Sequence, residues 1–314
     1  MNLPTHGNYY GYYTKRPFPN DERLFVLPAH LFEGKRVLDV GCNEGWVSCE
    51  IAQTHGAKFI VGVDIDDKLV QGAWRRRRAV WSTQAPSVPH GRSLEDQIPD
   101  KVSLEDGKQS STSLLTEDRN SNKKRKRDQV DSEVPGPADE HASPLSTTNT
   151  TTRRPRPRPN YFPASCEHEF GSLPIPPSAN RGKDVFPHNL AFRTADWVNT
   201  TIPEDADGYD IVVAFSLSKW IHLNGGDDGL KRFFQRVFSV LKSGGTFILE
   251  PQPWESYVKA RKMDRKLQEN YKDLRIRPAD FEAILKEIGF GHVTHLGAIG
   301  EGGFQRPIDL YSKP

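Results

Sequence analysis

The sequence predicts an α/β fold: a mostly parallel seven-stranded sheet with helices on both faces and an antiparallel C-terminal hairpin. Three observations carry this. Short apolar runs alternate with helical patterns through residues 35–83 and again after residue 185. The first run ends in a glycine turn, DVGCNEG, and the second ends in an acid, GVD. The last two runs are close enough in the chain to pair as a hairpin. Strands alternating with helices at this spacing build parallel sheets, because a parallel pair needs a crossover.

Arg36–Gly41 (RVLDVG) reads as the first strand and Trp46–Thr54 as the first long helix. Lys58–Asp64 (KFIVGVD) is a second buried strand, and Asp67–Trp81 a second helix. Leu190–Arg193 is a third, weak strand, and Tyr209–Phe215 (YDIVVAF) a fourth. AFSLSKWIHLNGGDDG then reads as a strand end running into a polar loop. Leu230, Phe233, Phe234, Val237, Phe238 and Leu241 recur at helical spacing, with Asp227 and Asp228 near the start, where carboxylates suit the helix dipole. Gly244–Gly245 stop that helix before a fifth strand, Thr246–Glu250. A helix opened by Pro278 and closed by Gly289 precedes the hairpin of His292–Leu296 and Pro307–Tyr311.

Composition sets limits. Of 314 residues only 35% are hydrophobic, with 25 Gly and 24 Pro, so part of the chain is expected not to pack. That part is about 84–160, rich in Ser, Thr, Pro and charge, with KKRKR at 123–127 and RPRPRP at 154–159. It reads as a disordered insertion, because the strand–helix alternation is incomplete on either side alone. The domain reading is therefore an N-terminal segment, 1–34, that closes over the ligand site, and one domain, 35–314, interrupted by the insertion. Net charge is +2, so any nucleic-acid signal is local. Three cysteines, Cys42, Cys49 and Cys166, form no CxxC pair, which argues against a structural metal or a disulfide framework. No apolar run reaches membrane-spanning length and the N-terminus lacks a signal-peptide core, so no membrane is expected. The basic run predicts a nuclear protein, with the cytoplasm as the alternative. Arg75–Arg78 cover nearly a full helical turn and read as a solvated face.

The glycine turn carries the chemistry. Gly41 and Gly45 allow a tight turn and close backbone approach, and Asp39 stands two residues before Gly41. Asp64 ends the next strand, where an acid accepts from both ribose hydroxyls of a nucleoside. A dinucleotide would call for G-x-G-x-x-G, to seat a pyrophosphate at the helix N-terminus. D-x-G-x-x-x-G suits S-adenosylmethionine (SAM), which has no phosphate. On the acceptor side, the Asn/Asp-Pro-Pro-aromatic motif of enzymes that methylate amide or adenine nitrogens is missing after the fourth strand. SLSK stands there and brings in a cation, Lys219, with His222 three residues on; an anionic acceptor suits that pair.

NYYGYY (8–13), DERLFVL (21–27), LDVGCNEG (38–45), GVDID (62–66), SLSKWIHLNGGDDGLKRFF (216–234), LEPQPWESY (249–257) and GFQRP (303–307) together resemble the Bin3 family of RNA methyltransferases. The resemblance covers roughly 8–81 and 185–314. It implies a class I (Rossmann-like) methyltransferase with SAM as methyl donor and S-adenosylhomocysteine as product. It implies methylation of the 5′-terminal γ-phosphate of a small noncoding RNA. The alternatives are a 5′-monophosphate RNA O-methyltransferase, an RNA-binding assembly factor working with ribonucleoprotein proteins, and a methyltransferase for a small carboxylate.

By the same resemblance, Gly41, Cys42, Asn43 and Gly45 line the methionine end and Asp64 and Ile65 hold the adenosine. Asp196 and Trp197 flank the adenine, Leu217 sits beside the methyl, and Tyr12 or Tyr13 with Arg23 closes over the cofactor. Lys219, His222, Gln252, Gln305 and Arg306 are expected to clamp the phosphate. Lys15, Arg16, Trp220, Trp254 and Arg261 are expected along the RNA, Trp220 as a wall. A terminal phosphate is already anionic near neutral pH, so neither a metal nor a general base is expected.

Overall fold

The computed structural model describes residues 4–10, 12–13, 21–84, 162, 164–180, 182–300 and 305–314. They belong to one compact unit, 1–86 with 155–314; the rest, 87–154, lies outside the described residues, as does nearly all of the expected insertion.

Seven strands form one sheet: β1 (Arg36–Val40), β2 (Phe59–Asp64), β3 (Leu190–Thr194), β4 (Tyr209–Phe215), β5 (Leu241–Glu250), β6 (Val293–Ile299) and β7 (Arg306–Ser312). Their order is β3-β2-β1-β4-β5-β7-β6. The first five are mutually parallel, and β7 runs antiparallel between β5 and β6. Because β1 is central, with β2 on one side and β4 on the other, the winding reverses there. The carboxyl ends of β1, β2 and β4 open a crevice at that switch point.

Strand alternation sorts the core into two layers. Val37, Ile60, Phe192, Ile211, Val213 and Ile248 face α2 (Trp46–Thr54) and α3 (Asp67–Thr83). Leu38, Val61, Val212 and Phe247 face the other way, against Phe233 and Phe234 of α5 (Ser218–Val240) and Phe281 and Leu285 of α8 (Phe281–Ile288). Each of these phenylalanines is fully or almost fully buried, worth roughly 1.5–3 kcal/mol apiece.

Several sequence expectations change. The helix before β5 ends at Val240, and Gly244 and Gly245, expected to stop it, lie inside β5. Helix α5 starts at Ser218, not near Asp227, so the expected polar loop is helical. Its glycines only kink it: Gly226 takes φ 68° and the helix resumes. The carbonyls freed by the kink are met from outside, since Asn270 Nδ2 donates to Leu223 O at 2.8 Å and Asn224 O at 3.2 Å. Asn270 belongs to α7 (Arg265–Asp273), which with α6 (Trp254–Ala260) has too few apolar residues for its periodicity to register. These helices anchor through Tyr257, Ala260 and Leu267 in a third small core with Trp220 and Leu223.

The arginine run is not a solvated face. Arg77 Nε donates to Pro187 O at 2.7 Å, Arg78 Nη2 to Ser172 O at 2.7 Å, and Arg76 stacks on Trp46. Two of the four thus tie down the returning chain. That chain also meets α3 where Phe162 N donates to Thr83 O at 3.2 Å. Short helices at Glu22–Phe25 (α1) and Ala164–Phe170 (α4) complete the described elements.

Candidate active site

A cavity of about 350 Å³ lies at the switch point, lined from the ends of β1, β2 and β4, the start of α5, and the N-terminal segment. One end is acidic. Asp64, at the end of β2, is almost buried and is pinned by two backbone donors, Asn43 N to Oδ2 at 2.9 Å and Asp66 N to Oδ1 at 3.0 Å. Burial pushes its carboxyl up, against the pull of those donors. Asp196 lines the same end and is turned by Asn199 Nδ2 at 2.7 Å. Gly41, Asn43, Ile65, Leu217, Tyr12, Tyr13 and Trp197 also line the cavity. Gly41 has φ 78°, and a Cβ there would sit 2.9 Å from Leu217 Cδ1; the turn admits no side chain.

Several expected cofactor residues lie off the cavity or are committed to packing. Cys42 is buried in the core layer under α2, and its side chain faces away from the cavity lining. Gly45 takes φ 74° as the N-cap of α2, and a Cβ there would meet Phe192 at 2.6 Å; it serves helix–sheet packing. Arg23 is buried behind the wall, paired with Asp21 at 2.6 Å and Glu250 at 2.8 Å and lying over Phe215. Trp197 has its indole N–H on Asp205 Oδ1 at 3.2 Å and Arg236 over its ring, so packing commits much of it. Asp39 is buried too, accepts from Ser48 Oγ at 2.5 Å, and burial pushes its carboxyl up to about 6.

The other end is basic. Lys219 and Arg306 line it and are both more than nine-tenths buried. Among the described residues no carboxylate pairs with Lys219; its ammonium lies 4.6 Å from the Trp220 ring centre. Burial, then the neighbouring Arg306 charge, lower its pKa to about 8. Gln252 lines the cavity but its amide is engaged. Oε1 accepts from Lys219 N at 3.1 Å and Ser218 Oγ at 3.2 Å, and Nε2 donates to Ser216 O. It therefore caps α5 and locks the turn that presents Lys219, rather than reaching freely for a ligand.

His222 does not join the expected clamp. It is fully buried, with Nε2 2.7 Å from Asp227 Oδ1 and Nδ1 3.4 Å from the Tyr257 hydroxyl, and burial lowers its pKa despite Asp227. Three residues along a helix mean a rise of about 4.5 Å and a rotation of about 60°, enough to carry it off the cavity. Gln305 is exposed and off the lining, because it precedes Arg306 at the strand start and alternation turns the two apart. Trp254 stacks between packed partners: Tyr257 at 4.7 Å, Tyr271 at 5.1 Å and the Arg277 guanidinium at 3.8 Å. Arg261 lies 4.2 Å over Tyr271 in the same stack, and neither it nor Trp254 lines the cavity. Trp220 is a cavity wall, as read, with Tyr9 edge-on to it. Lys15 and Arg16 lie outside the described residues.

The N-terminal segment was expected to close over the site; the residues that fasten it were not. Residues 5–10 form a strap across the cavity: Asn224 Nδ2 donates to Thr5 O at 2.8 Å, Asn43 Nδ2 to Tyr9 O at 3.3 Å, and Asn8 Nδ2 to Asp66 Oδ2 at 2.7 Å. Ser216, at φ 58°, joins Glu250, Arg306 and Tyr12 through one hydroxyl. Its only sequence signal is a small polar residue directly after a buried strand.

Among the described residues no group of three or more His, Cys, Asp or Glu could hold a metal, and no helix is long and apolar enough to cross a membrane. The strand order, with a glycine turn after β1 and an acid ending β2, defines the class I methyltransferase fold. Within that class, the family model of Bicoid-interacting protein 3 (Bin3) matches residues 209–313. A 7SK snRNA methylphosphate capping enzyme from Mus musculus is 33% identical over 98% of this chain and 40% of its own length. A probable RNA methyltransferase from Arabidopsis thaliana is 30% identical over 98% of this chain and 79% of its own. A U6 snRNA methylphosphate capping enzyme from Drosophila melanogaster is 26% identical over 98% and 74%. The chain belongs to the Bin3 family; it spans about 40% of the length of the mouse and human relatives it matches.

Proposed function

We propose that this protein is a SAM-dependent methyltransferase acting on the 5′-terminal phosphate of a small noncoding RNA. The observation that carries the reading is the polarity of one cavity. Asp64 and Asp196 mark one end, and two buried cations, Lys219 and Arg306, mark the other.

The acidic end fits SAM. Asp64 has both oxygens fixed by backbone donors and keeps lone pairs for ribose hydroxyls. The side-chain-free turn at Gly41 lets a ligand lie against backbone, and no helix N-terminus is opened for a pyrophosphate, since Gly45 is packed under Phe192. Bound there, the sulfonium supplies an electrophilic methyl group.

The remaining chemistry belongs to the chain. A terminal phosphate carries its nucleophilic oxygen already ionised near neutral pH, so no side chain has to remove a proton. The residues must hold and orient it, which is worth up to about 7–11 kcal/mol of barrier when the alignment is right. Lys219 supplies a point charge and Arg306 a directed fork of donors. Gln252 sets their geometry through the α5 cap. Trp220 and the strap wall the same space. RNA is the acceptor in the names of the mouse and fly relatives, and several shorter matches are named RNA 5′-monophosphate methyltransferases.

The experiment is transfer of label from SAM to matched RNAs ending in 5′-triphosphate, monophosphate or hydroxyl. Transfer to triphosphate RNA is expected; transfer to monophosphate RNA alone selects the other phosphate acceptor. Labelling of the hydroxyl RNA equal to that of the phosphorylated ones sinks the proposal. We also propose nuclear import through the basic run Lys123–Arg127; unchanged distribution of a fluorescent fusion after its neutralisation would refute that.

A further inference from the structure

We propose that Ser216 is a positioning residue for methyl transfer: its hydroxyl holds the Arg306 guanidinium at the acceptor end and ties it to a buried ion cluster. The inference rests on the phosphate-acceptor reading above and names how that site is kept in shape.

The backbone comes first. Ser216 sits at φ 58° directly after β4, in the left-handed region that costs a non-glycine residue roughly 1–3 kcal/mol. Glycine would sit there without strain, so what serine adds at this position is its hydroxyl. The surroundings hold the turn in place: Ser216 N donates to Glu250 O at 3.3 Å, and Gln252 Nε2 donates to Ser216 O.

The hydroxyl's bonds can then be assigned by counting. A serine hydroxyl has one proton and two lone pairs. Ser216 Oγ lies 2.6 Å from Glu250 Oε2, a carboxylate oxygen that only accepts, so the proton goes there. Arg306 Nη1 can only donate, and takes one lone pair. Tyr12 OH, at 3.3 Å, donates to the other. All three capacities are used, so each partner's position fixes the others.

Behind Ser216 the cluster continues. Glu250 is fully buried and accepts from Arg23 Nη1 at 2.8 Å. Arg23 in turn holds Asp21 through Nε at 2.8 Å and Nη2 at 2.6 Å, and donates to Tyr13 OH at 3.2 Å. The side chains of Arg23, Asp21 and Glu250 are almost fully buried, and Arg23 lies over the Phe215 ring. The cluster is thus a rigid anchor, and Ser216 is its contact with Arg306 and Tyr12, both of which line the cavity. Without the hydroxyl, Arg306 loses a buried acceptor and is pushed by the nearby Lys219 charge.

Ser216→Gly removes the hydroxyl while keeping the left-handed turn free of strain. The measurements are methyl transfer to 5′-triphosphorylated RNA, binding of inorganic triphosphate by calorimetry, and S-adenosylhomocysteine affinity, in Ser216→Gly, Arg306→Gln and the double variant. Loss of a hydrogen bond to a charged group predicts a ~10–100-fold fall in kcat/KM and in triphosphate affinity for Ser216→Gly. Adding Arg306→Gln to it should cost no more than Arg306→Gln alone, because contacts in series are not additive. S-adenosylhomocysteine affinity should stay within about threefold, since the acidic end is intact. Unchanged triphosphate affinity in Ser216→Gly overturns the inference, and so do losses that multiply in the double variant. If wild type binds triphosphate with this coupling yet labels no phosphorylated RNA, the reaction is misassigned and the positioning role stands. If wild type binds no triphosphate at all, both fail.

Discussion

Asn8 and Asp66 are 58 residues apart in the chain and joined by a 2.7 Å hydrogen bond from the Asn8 amide to the Asp66 carboxylate. The same oxygen accepts from the Tyr10 hydroxyl at 2.8 Å, while the other caps α3 through Lys68 N at 2.9 Å and Leu69 N. Asp66 thus fixes the loop after Asp64 and latches the strap over the cavity.

The latch predicts a release effect. Removing the two strap-side donors, Asn8→Ala with Tyr10→Phe, leaves the helix cap untouched. S-adenosylhomocysteine should bind roughly tenfold more weakly, about 1.4 kcal/mol, through faster dissociation. Burial opposes ionisation of Asp66, but the bonds from Asn8, Tyr10 and the α3 backbone outweigh it and lower its pKa. Its contribution is therefore present above the usual Asp range and is lost only as pH falls through that lowered value. Stopped-flow dissociation at pH 7 and pH 4.5 checks this; a latch already lost at pH 4.5 would contradict it.

Lys219 predicts opposite effects on stability and activity. Its pKa, lowered to about 8, is below the unfolded value near 10.4, so between those limits the unfolded chain binds the extra proton. Stability from this group rises with pH across that window, and at pH 7 the buried charge is a cost. Lys219→Met should then raise stability at pH 7 by on the order of 1–3 kcal/mol, a gain that shrinks to nothing by about pH 10.5. The same variant should lose methyl transfer. In wild type, kcat/KM for RNA should fall above about pH 8, and Lys219→Arg should move that fall to higher pH. Equal stability of wild type and Lys219→Met at pH 7 would argue that the ammonium reaches water.

Gln252 predicts a positional effect without charge. Gln252→Ala deletes the acceptor for Lys219 N and Ser218 Oγ and the donor to Ser216 O, leaving buried groups unsatisfied. A loss of about 1–3 kcal/mol in unfolding free energy is expected. Methyl transfer should fall more in kcat than in KM, because Lys219 stays in the cavity but is misaimed. Gln252→Glu keeps the acceptor but sets a carboxylate oxygen against Ser216 O in place of the donor, so it should recover little of the stability; denaturant melts compare the three.

The strands and the glycine turn were legible because a buried parallel strand is a dense apolar run bounded by turns, whatever surrounds it. Asp64 was legible because a strand end dictates where an acid can sit. His222 was misread because only three-dimensional packing decides that the helix turns it toward Tyr257 and Phe281. Helices α6 and α7 were missed because they fold onto a few anchors, not an amphipathic stripe. Ser216, Glu250 and Asp66 act through partners 34 to 227 residues away, a relation no local pattern encodes.

Excising residues 87–154 is expected to leave the site intact. Among the described residues, all three cores are assembled from outside this span. The chain on either side is already held: Thr83 O accepts from Phe162 N, Arg78 holds Ser172 and Leu173, and Ser82 Oγ accepts from Leu173 N at 2.7 Å. Shortening a loop between fixed ends changes closure entropy slowly, by about 0.6 kcal/mol per factor of two in length. A chain with Pro86 joined to Pro155 by a short Gly/Ser linker should therefore melt cooperatively, at or slightly above the wild-type temperature. Its S-adenosylhomocysteine affinity should match wild type, because Asp64, Gly41 and Leu217 are built from elements outside the excision. A broad melt, or lost cofactor binding, would mean that residues 87–154 hold the sheet or the strap in place.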